Sequence, residues 1–363
     1  MSARPTWWRL PTIGFSGGSV RLSMQVSYAG GFKEAADRVV ELEKAGLDIV
    51  WVAEAYGFDA PTMMGYLAAR TERVQIGSGI LPIYSRTPTL LAQTAAGLDY
   101  ISDGRAILGI GASGPQVIEG WHGVPYDRPL QRTREIIEIC RTAWRRGVLT
   151  HDGIYNLPLP PEQGTGLGKP LKMITHPVRP SVPIYVASLG PKNVEMTAEV
   201  ADGWMPILFV PEKAGEVWGE SLAKGAANRS AELGPLEVVA GGMVAIGDGL
   251  EGLRDAARPM VALYVGGMGA RGRNFYNDLA RRYGYEDEAA TIQDLYLSGK
   301  KDKAAAAVPP ELLEKTSLVG PPGYVRERMA AMKEAGVTVL SITPVGADPV
   351  RVLEQVRSWA DEL

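Results

Sequence analysis

The sequence predicts an α/β chain folded as a (β/α)8 barrel with insertions, and three observations carry that prediction. Eight short apolar runs recur along the 363 residues, and most are followed by a stretch of helical periodicity. No break in composition divides the chain, so 1–363 is expected to be a single domain, with insertion or lid segments at about 147–181 and 266–318. The glycine-rich stretch LGIGASGP, 108–115, follows the fourth run rather than the first, which suits a barrel loop better than a dinucleotide-binding unit.

Taken in order, Ile13 to Phe15 read as a short strand before a Gly-Gly loop. A helix follows from about Gly31, with Phe32, Ala35, Ala36, Val39 and Val40 on one face and Gly46 as its stop. LDIVWVAE is continuously apolar, as a strand buried on both faces should be. Asp59 can cap a helix that reaches Arg70, and RVQIGSGILP is the third strand. Thr87 and Pro88 open the next helix as N-cap and first residue, with Leu91, Thr94, Ala95, Leu98 and Ile101 inward. RAILGIG is the fourth strand, and a helix from about Arg128 to Arg145 turns Thr133, Ile136, Ile137, Cys140 and Trp144 to the core. The Pro/Gly-rich stretch that follows has no periodicity and has room for a small hairpin over a site. PIYVASLGP and DGWMPILFV are the fifth and sixth strands, flanking a helix from about Pro191 to Ala201. LEVVAGGMVAIG is the seventh, a helical region follows, Pro321-Pro322 start a helix through Ala335, and VTVLSITPVG closes the series.

Composition removes several functions. A net charge of -3 gives no basic footprint for nucleic acid or an anionic membrane surface. Cys140 is the sole cysteine, which rules out an internal disulfide and any CxxC site, and it reads as core rather than nucleophile. His122, His151 and His176 show no ligand spacing, so no metal is expected. The N-terminus has no continuous apolar segment, and no run of about 18 apolar residues occurs elsewhere. The expectation is a soluble, cytoplasmic homo-oligomer that acts on a small molecule.

Gly109, Gly111 and Gly114 spell G-x-G-x-x-G, the spacing that admits a pyrophosphate at a helix N-terminus. Pro115 follows directly, the next convincing helix is expected near Arg128, and Asp127 is poorly placed as the acidic partner of that fingerprint. A barrel loop at the C-terminal face is the better reading, with Gly111, Ala112, Ser113, Gly114 and Gln116 beside a flat ligand.

Three segments, GLDIVWVAEAYGFDAP, RVQIGSGILPIYSRTPTLLAQTAAGLDYISDGRAILGIGASGP and PIYVASLGPKNVEMTAEVADGW, together resemble the luciferase-like monooxygenase superfamily. The likeness is greatest to its branch of oxidoreductases that use the deazaflavin coenzyme F420. The resemblance implies a cofactor ring against Ser78, Gly79 and Ile80, with a non-prolyl cis peptide at Gly79-Ile80. It places the ribityl phosphate at Ala187, Ser188, Leu189 and Gly190, near Gly203 and Trp204, where the opening of a helix offers free amides. Glu54 occupies the position of a carboxylate close to the ring; the other reading is a carboxylate that binds loop amides. Many relatives follow it with a histidine, and this chain has Ala55, so Tyr56 or His122 is the candidate to handle the substrate proton. His122 can also be a loop histidine without chemistry. Lys192, Arg86 and Arg128 are candidates to receive the coenzyme's anionic tail. The implied activity is hydride transfer between F420 and a small organic substrate. The alternatives are an FMN-dependent monooxygenase on the same barrel and a non-catalytic flavin-binding protein.

Overall fold

A computed structural model describes residues 19–26 and 30–363. The strand expected at 13–15 lies outside the described residues. Among the described residues the first barrel strand is Arg21–Val26 (β1), whose alternation of Arg, Ser and Gln with Leu, Met and Val is a strand pattern that a search for continuous apolar runs passes over. The other strands are Ile49–Val52 (β2), Gln75–Ser78 (β3), Leu81–Pro82 (β4), Ala106–Gly111 (β5), Ile184–Ala187 (β6), Gly203–Trp204 (β7), Glu237–Ile246 (β8), Leu318–Gly320 (β9) and Val339–Pro344 (β10). All pairings are parallel, and β10 pairs with both β1 and β8, which closes the ring. β3 and β4 share one place in the ring, so eight positions close the barrel, as the sequence predicts. β9 stands outside it, on the upper part of β8, and its three residues carry no readable signal.

The helices are Phe32–Lys44 (α1), Ala60–Arg70 (α2), Pro88–Ile101 (α3), Pro115–Gly120 (α4), Pro129–Trp144 (α5), Pro191–Val200 (α6) and Pro211–Ala227 (α7). Next come Arg258–Ala262 (α8), Phe275–Arg282 (α9), Glu286–Leu297 (α10), Lys301–Ala306 (α11), Pro310–Lys315 (α12), Pro322–Glu334 (α13) and Pro349–Glu362 (α14). Asp59 and Thr87 cap α2 and α3 through bonds from Thr62 N and Leu90 N, both 3.2 Å. Ile101 corrects the expected inward face of α3: it is exposed. The sixth expected strand shrinks to Gly203–Trp204, because the chain from Met205 onward turns into the loop before α7. The hairpin expected in 147–181 reduces to one bridge between His151 and Leu157 and a 3-10 turn at Pro161–Gln163. Among the described residues, no helix is long and apolar enough to cross a membrane.

Strand alternation sorts side chains into two cores. Leu22, Val50, Val52, Ile76, Leu108 and Ile110 pack outward under the helices. Ile49, Trp51, Ile107, Tyr185, Val239 and Val339 fill the lumen, with Met205 against them. The rings of Trp51 and Tyr185 meet at 5.6 Å between centroids. Glycine makes room for both: a Cβ on Gly77 would lie 2.2 Å from the Trp51 ring, and one on Gly203 would lie 2.5 Å from that of Tyr185. Below them Arg21 donates to Gln75 (2.7 Å), to the Tyr185 hydroxyl (3.2 Å) and to Glu237. The N-terminal end of the barrel is thereby plugged, and the open end is the other one.

Candidate functional site

The site starts from a defect in the ladder. β3 pairs Gly77 with Ile107, but β4 pairs Leu81 with Ile110, so residues 78–80 face only 108 and 109 of β5. That extra residue is a β-bulge. Ser78 closes the gap: its Oγ donates to the Gly109 carbonyl at 2.7 Å and accepts the Gly109 amide at 2.9 Å. Gly109 has to be glycine, since a Cβ there would lie 1.8 Å from the Ser78 carbonyl oxygen. Ser78 is fully buried and its hydroxyl is committed, so it shapes the bulge and offers no side chain to a ligand. The Gly79-Ile80 peptide is cis, as the resemblance implies, and both residues are half-buried at the mouth.

Three loops converge on that bulge. The position of a Cβ on Gly111 lies 3.1 Å from Ile80 Cγ1 and 3.4 Å from Ala187 Cβ, so the ends of β3, β5 and β6 meet there. Met205 approaches from β7, with its Cε 3.6 Å from the corresponding point on Gly79. Gly79 and Gly111 with the apolar side chains of Ile80, Ala187 and Met205 form a wall above Trp51, a surface suited to a flat apolar ring.

Beyond β5, Ser113 takes a left-handed φ of 57°, and Gly114 caps α4. This corrects one expectation: a six-residue helix does open on Pro115 directly after the glycines. The dinucleotide reading still fails, because the sheet closes into a barrel and its first strand lies elsewhere. Gln116 is exposed, and its Oε1 lies 3.2 Å from the Cβ position of Gly114, with the Met268 carbonyl at 3.8 Å.

Beyond β6, Gly190 caps α6, whose first residue is Pro191. The amides of Leu189, Gly190 and Lys192 meet no acceptor among the described residues. Ser188 is buried, with its hydroxyl 2.9 Å from that of Thr197. Trp204 and Trp218 hold the loop from behind by donating to the carbonyls of Ser188 (2.9 Å) and Leu189 (3.1 Å). Gly203 and Trp204 therefore stand behind the loop, fully enclosed, rather than in the mouth. Asn193 on α6 has a buried Oδ1 without a partner, and Phe275 lies across Gly190, 3.5 Å from its Cβ position.

Glu54, in the loop just after β2, makes a two-pronged ion pair with Arg86, at 2.6 and 2.8 Å, and accepts the Ala60 amide at 2.8 Å. The two side chains are 7% and 13% exposed, so both carboxylate oxygens are occupied in a sheltered pair. Arg86 is accordingly withdrawn from the set expected to receive an anionic tail, while Lys192 pairs with Glu195 and Arg128 with Asp127 on the surface. Tyr56 is exposed, with its ring 6.4 Å from that of Trp121, so the loop after β2 meets the turn that carries His122. His122 Nε2 is sealed from solvent and has no partner among the described residues. Cys140 is inert core, its thiol pushed up to about 12 by burial.

The structure thus gathers Gly79, Ile80, Gly111 and Ala187 at one point and puts Leu189 and Gly190 at a free helix end. It leaves Ser78, Ser188, Gly203 and Trp204 as supports. Sequence reading missed Trp51, Asn193, Met268 and Phe275. A tryptophan in a buried strand opposite paired glycines was the available signal for the first; the last two come from an insertion whose path no local pattern encodes.

With this geometry in hand, comparison with known proteins places the chain. The profile of the luciferase-like monooxygenases matches residues 18–339. The chain belongs to the luciferase-like monooxygenase family. It is 43% identical to a protein of Mycobacterium tuberculosis provisionally designated a coenzyme F420-dependent oxidoreductase, over 92% of this chain and 98% of that one. It is 29% identical to the 5,10-methylenetetrahydromethanopterin reductase of Archaeoglobus fulgidus, over 86% and 90% of the two chains. The solved structure of the coenzyme F420-dependent tetrahydromethanopterin reductase from Methanopyrus kandleri superposes with a TM-score of 0.76 at 22% identity, covering 93% of this chain and 97% of that one.

Proposed function

We propose that this protein is a coenzyme F420-dependent oxidoreductase that transfers a hydride between the deazaflavin and a small organic substrate. The observation that carries the reading is the meeting of Ile80, Gly111 and Ala187 above the plugged lumen, a wall of glycine backbone and apolar side chains. Its support from kinship is the relative at 43% identity over nearly the whole of both chains. The residues present fit the coenzyme at both ends. A flat ring suits the bulge, and a phosphate suits the unpartnered amides of Leu189, Gly190 and Lys192 at the positive end of α6. The orphaned amide end of Asn193 fits as well, since a half-turn about χ2 presents its Nδ2 as a donor.

When bound, F420 supplies a carbon that gives or takes a hydride. The chain's own part is to hold the ring, exclude water and handle a proton. Glu54, with both oxygens held, orders the loop after β2 through Arg86 and Ala60 rather than moving a proton. His122 is the better proton handler, because its Nε2 is sheltered and uncommitted. Tyr56 lies beside it through Trp121 at the rim. The insertion about 263–277 touches both cofactor loops and acts as a lid. Exposed Leu90, Tyr100 and Ile101 on α3 support self-association through that face, which sedimentation would detect.

Titration of the purified chain with F420 and with FMN tests the assignment. Micromolar binding of F420 with weaker binding of FMN is expected. FMN binding alone, with oxygen uptake on reduction, would replace hydride chemistry by oxygen chemistry. Replacement of His122 by Asn should lower kcat while leaving F420 affinity unchanged.

A further inference from the structure

Among the described residues the exposed aromatic side chains are Tyr56, Phe58, Tyr100, Trp121 and Phe275. Tyr100 lies apart, at the far end of α3. The others stand at the open end of the barrel and are between 61% and 71% exposed. A single exposed apolar side chain is ordinary, but a group of rings on converging loops marks a place where something apolar binds.

Their placement says what that is. Tyr56 and Phe58 lie in the loop after β2, and Trp121 lies in the turn after α4, beyond β5. In the ring, β2 and β5 flank the one position that β3 and β4 share. The contact between Tyr56 and Trp121, 6.4 Å between ring centres, therefore spans the position that carries Gly79 and Ile80. The two rings are tilted by 51° and stand mostly in solvent. Covering both takes a molecule broader than a single ring, and His122 follows Trp121 directly. Phe275 adds a ring from the lid, against Gly190. Charge narrows the class further. The loop 53–59 holds no cation, and 112–128 holds Arg128 alone, which pairs with Asp127. Arg86 is committed to Glu54. An anion resting on this side of the mouth would meet no free counter-ion.

We propose that Tyr56, Phe58 and Trp121 form a substrate rim that takes a neutral, flat, apolar molecule of two or more fused rings. The inference rests on the F420 reading above and adds the substrate class to it. The coenzyme ring occupies the wall at Gly79, Ile80 and Gly111, and the substrate lies over it with its outer part on the aromatic side chains.

The test titrates the full-length, F420-loaded chain with acetonaphthone, a neutral fused-ring ketone, and with naphthoate, its charged counterpart. The ketone should bind and the naphthoate should bind more weakly. Trp121→Ala and Phe58→Ala should each weaken the ketone about threefold to tenfold, the range of one aromatic contact, and Trp121→Phe should keep most of the affinity. F420 affinity and thermal unfolding should stay at wild-type values, because the replaced side chains lie outside the core. No binding of the ketone, or equal affinity in wild type and both alanine variants, would overturn the rim alone. A matching loss of F420 affinity would assign the rings to the coenzyme and overturn it too. A wild-type dimer that dissociates in Trp121→Ala on sedimentation would make the patch a contact between copies instead. Tighter binding of naphthoate would bring Arg273, an exposed cation of the lid, into the site and overturn the neutral class. A wild-type chain that binds no F420 would overturn both the rim and the reading beneath it.

Discussion

The two ends of this barrel use polar side chains in opposite ways. At the N-terminal end they are bound into dense networks. Glu43 accepts the consecutive amides of Glu72, Arg73 and Val74; Arg105 donates to Ser102, Thr71, Val74 and Ala68; and Asp202 takes both the Ile184 amide and Arg141. At the C-terminal end polar atoms stand uncommitted: His122 Nε2, Asn193 Oδ1, and the amides of Leu189, Gly190 and Lys192. The first arrangement holds a fold together. The second costs stability and is sustained only where something else completes it.

Substitutions at the two ends should therefore separate stability from binding. The largest effect is expected where both meet, at Gly109. Any side chain there collides with the Ser78 carbonyl, so Gly109→Val should lose about 3 kcal/mol or more and deplete soluble protein, as read by urea unfolding. Arg105→Met, at the N-terminal end, strands several carbonyls and should cost about 3 kcal/mol with F420 affinity unchanged in whatever remains folded. If affinity fell in step with stability, the two ends would not be separable.

Acid provides a third break. Burial raises the Glu43 carboxyl, but the amides of Val74, Arg73 and Glu72 outweigh it and leave the group below its ordinary 4.5. Burial likewise opposes, and the Ile154 and Tyr155 amides with Gln131 and His151 overcome, the same shift at Glu135. A depressed carboxyl contributes stability that is complete above its unfolded value and lost as pH falls through the folded one. Melting temperature should thus drop below about pH 4.5, and Glu43→Gln should flatten that drop while lowering the plateau at neutral pH. Because Glu135 holds the 151–157 bridge to α5, protease cuts near residue 155 should appear in acid before global unfolding. The smallest stability effect belongs to the open end: Asn193→Ala should change unfolding by under about 0.5 kcal/mol yet weaken F420 binding several-fold. A stability loss without a binding loss there would make Asn193 a mere cap residue.

Much of this was legible in the sequence because its signals are local. Asp59 and Thr87 caps, the Pro191 helix start and the continuous apolar strands each follow from a few neighbouring residues. The bulge at Gly79-Ile80 came from resemblance, since no periodicity encodes it. What escaped was set by long-range geometry. Ser78 looks like a ligand residue until Gly109, 31 positions on, claims its hydroxyl. Arg86 looks like a free cation until the fold brings Glu54 to it. β1 was passed over because its inward residues, Arg21, Ser23 and Gln25, are polar where a continuously apolar run was sought, and Arg21 is what builds the plug.

Arg357 on α14 joins the last helix to the first strand, donating to Asp48 at 2.9 Å and to the Val20 carbonyl at 2.8 Å. Those contacts span 309 and 337 residues, against 31 for Glu43 with Val74. Closing the longer loop costs roughly 2 kcal/mol more in chain entropy than closing the shorter. The unit from α1 to β3 can consequently assemble on its own contacts, while the seam between β10 and β1 waits for nearly the whole chain. During synthesis the sheet thus stays open until β10 and α14 emerge, and the seam is where a chain lacking them would expose unpaired strand edges to its neighbours.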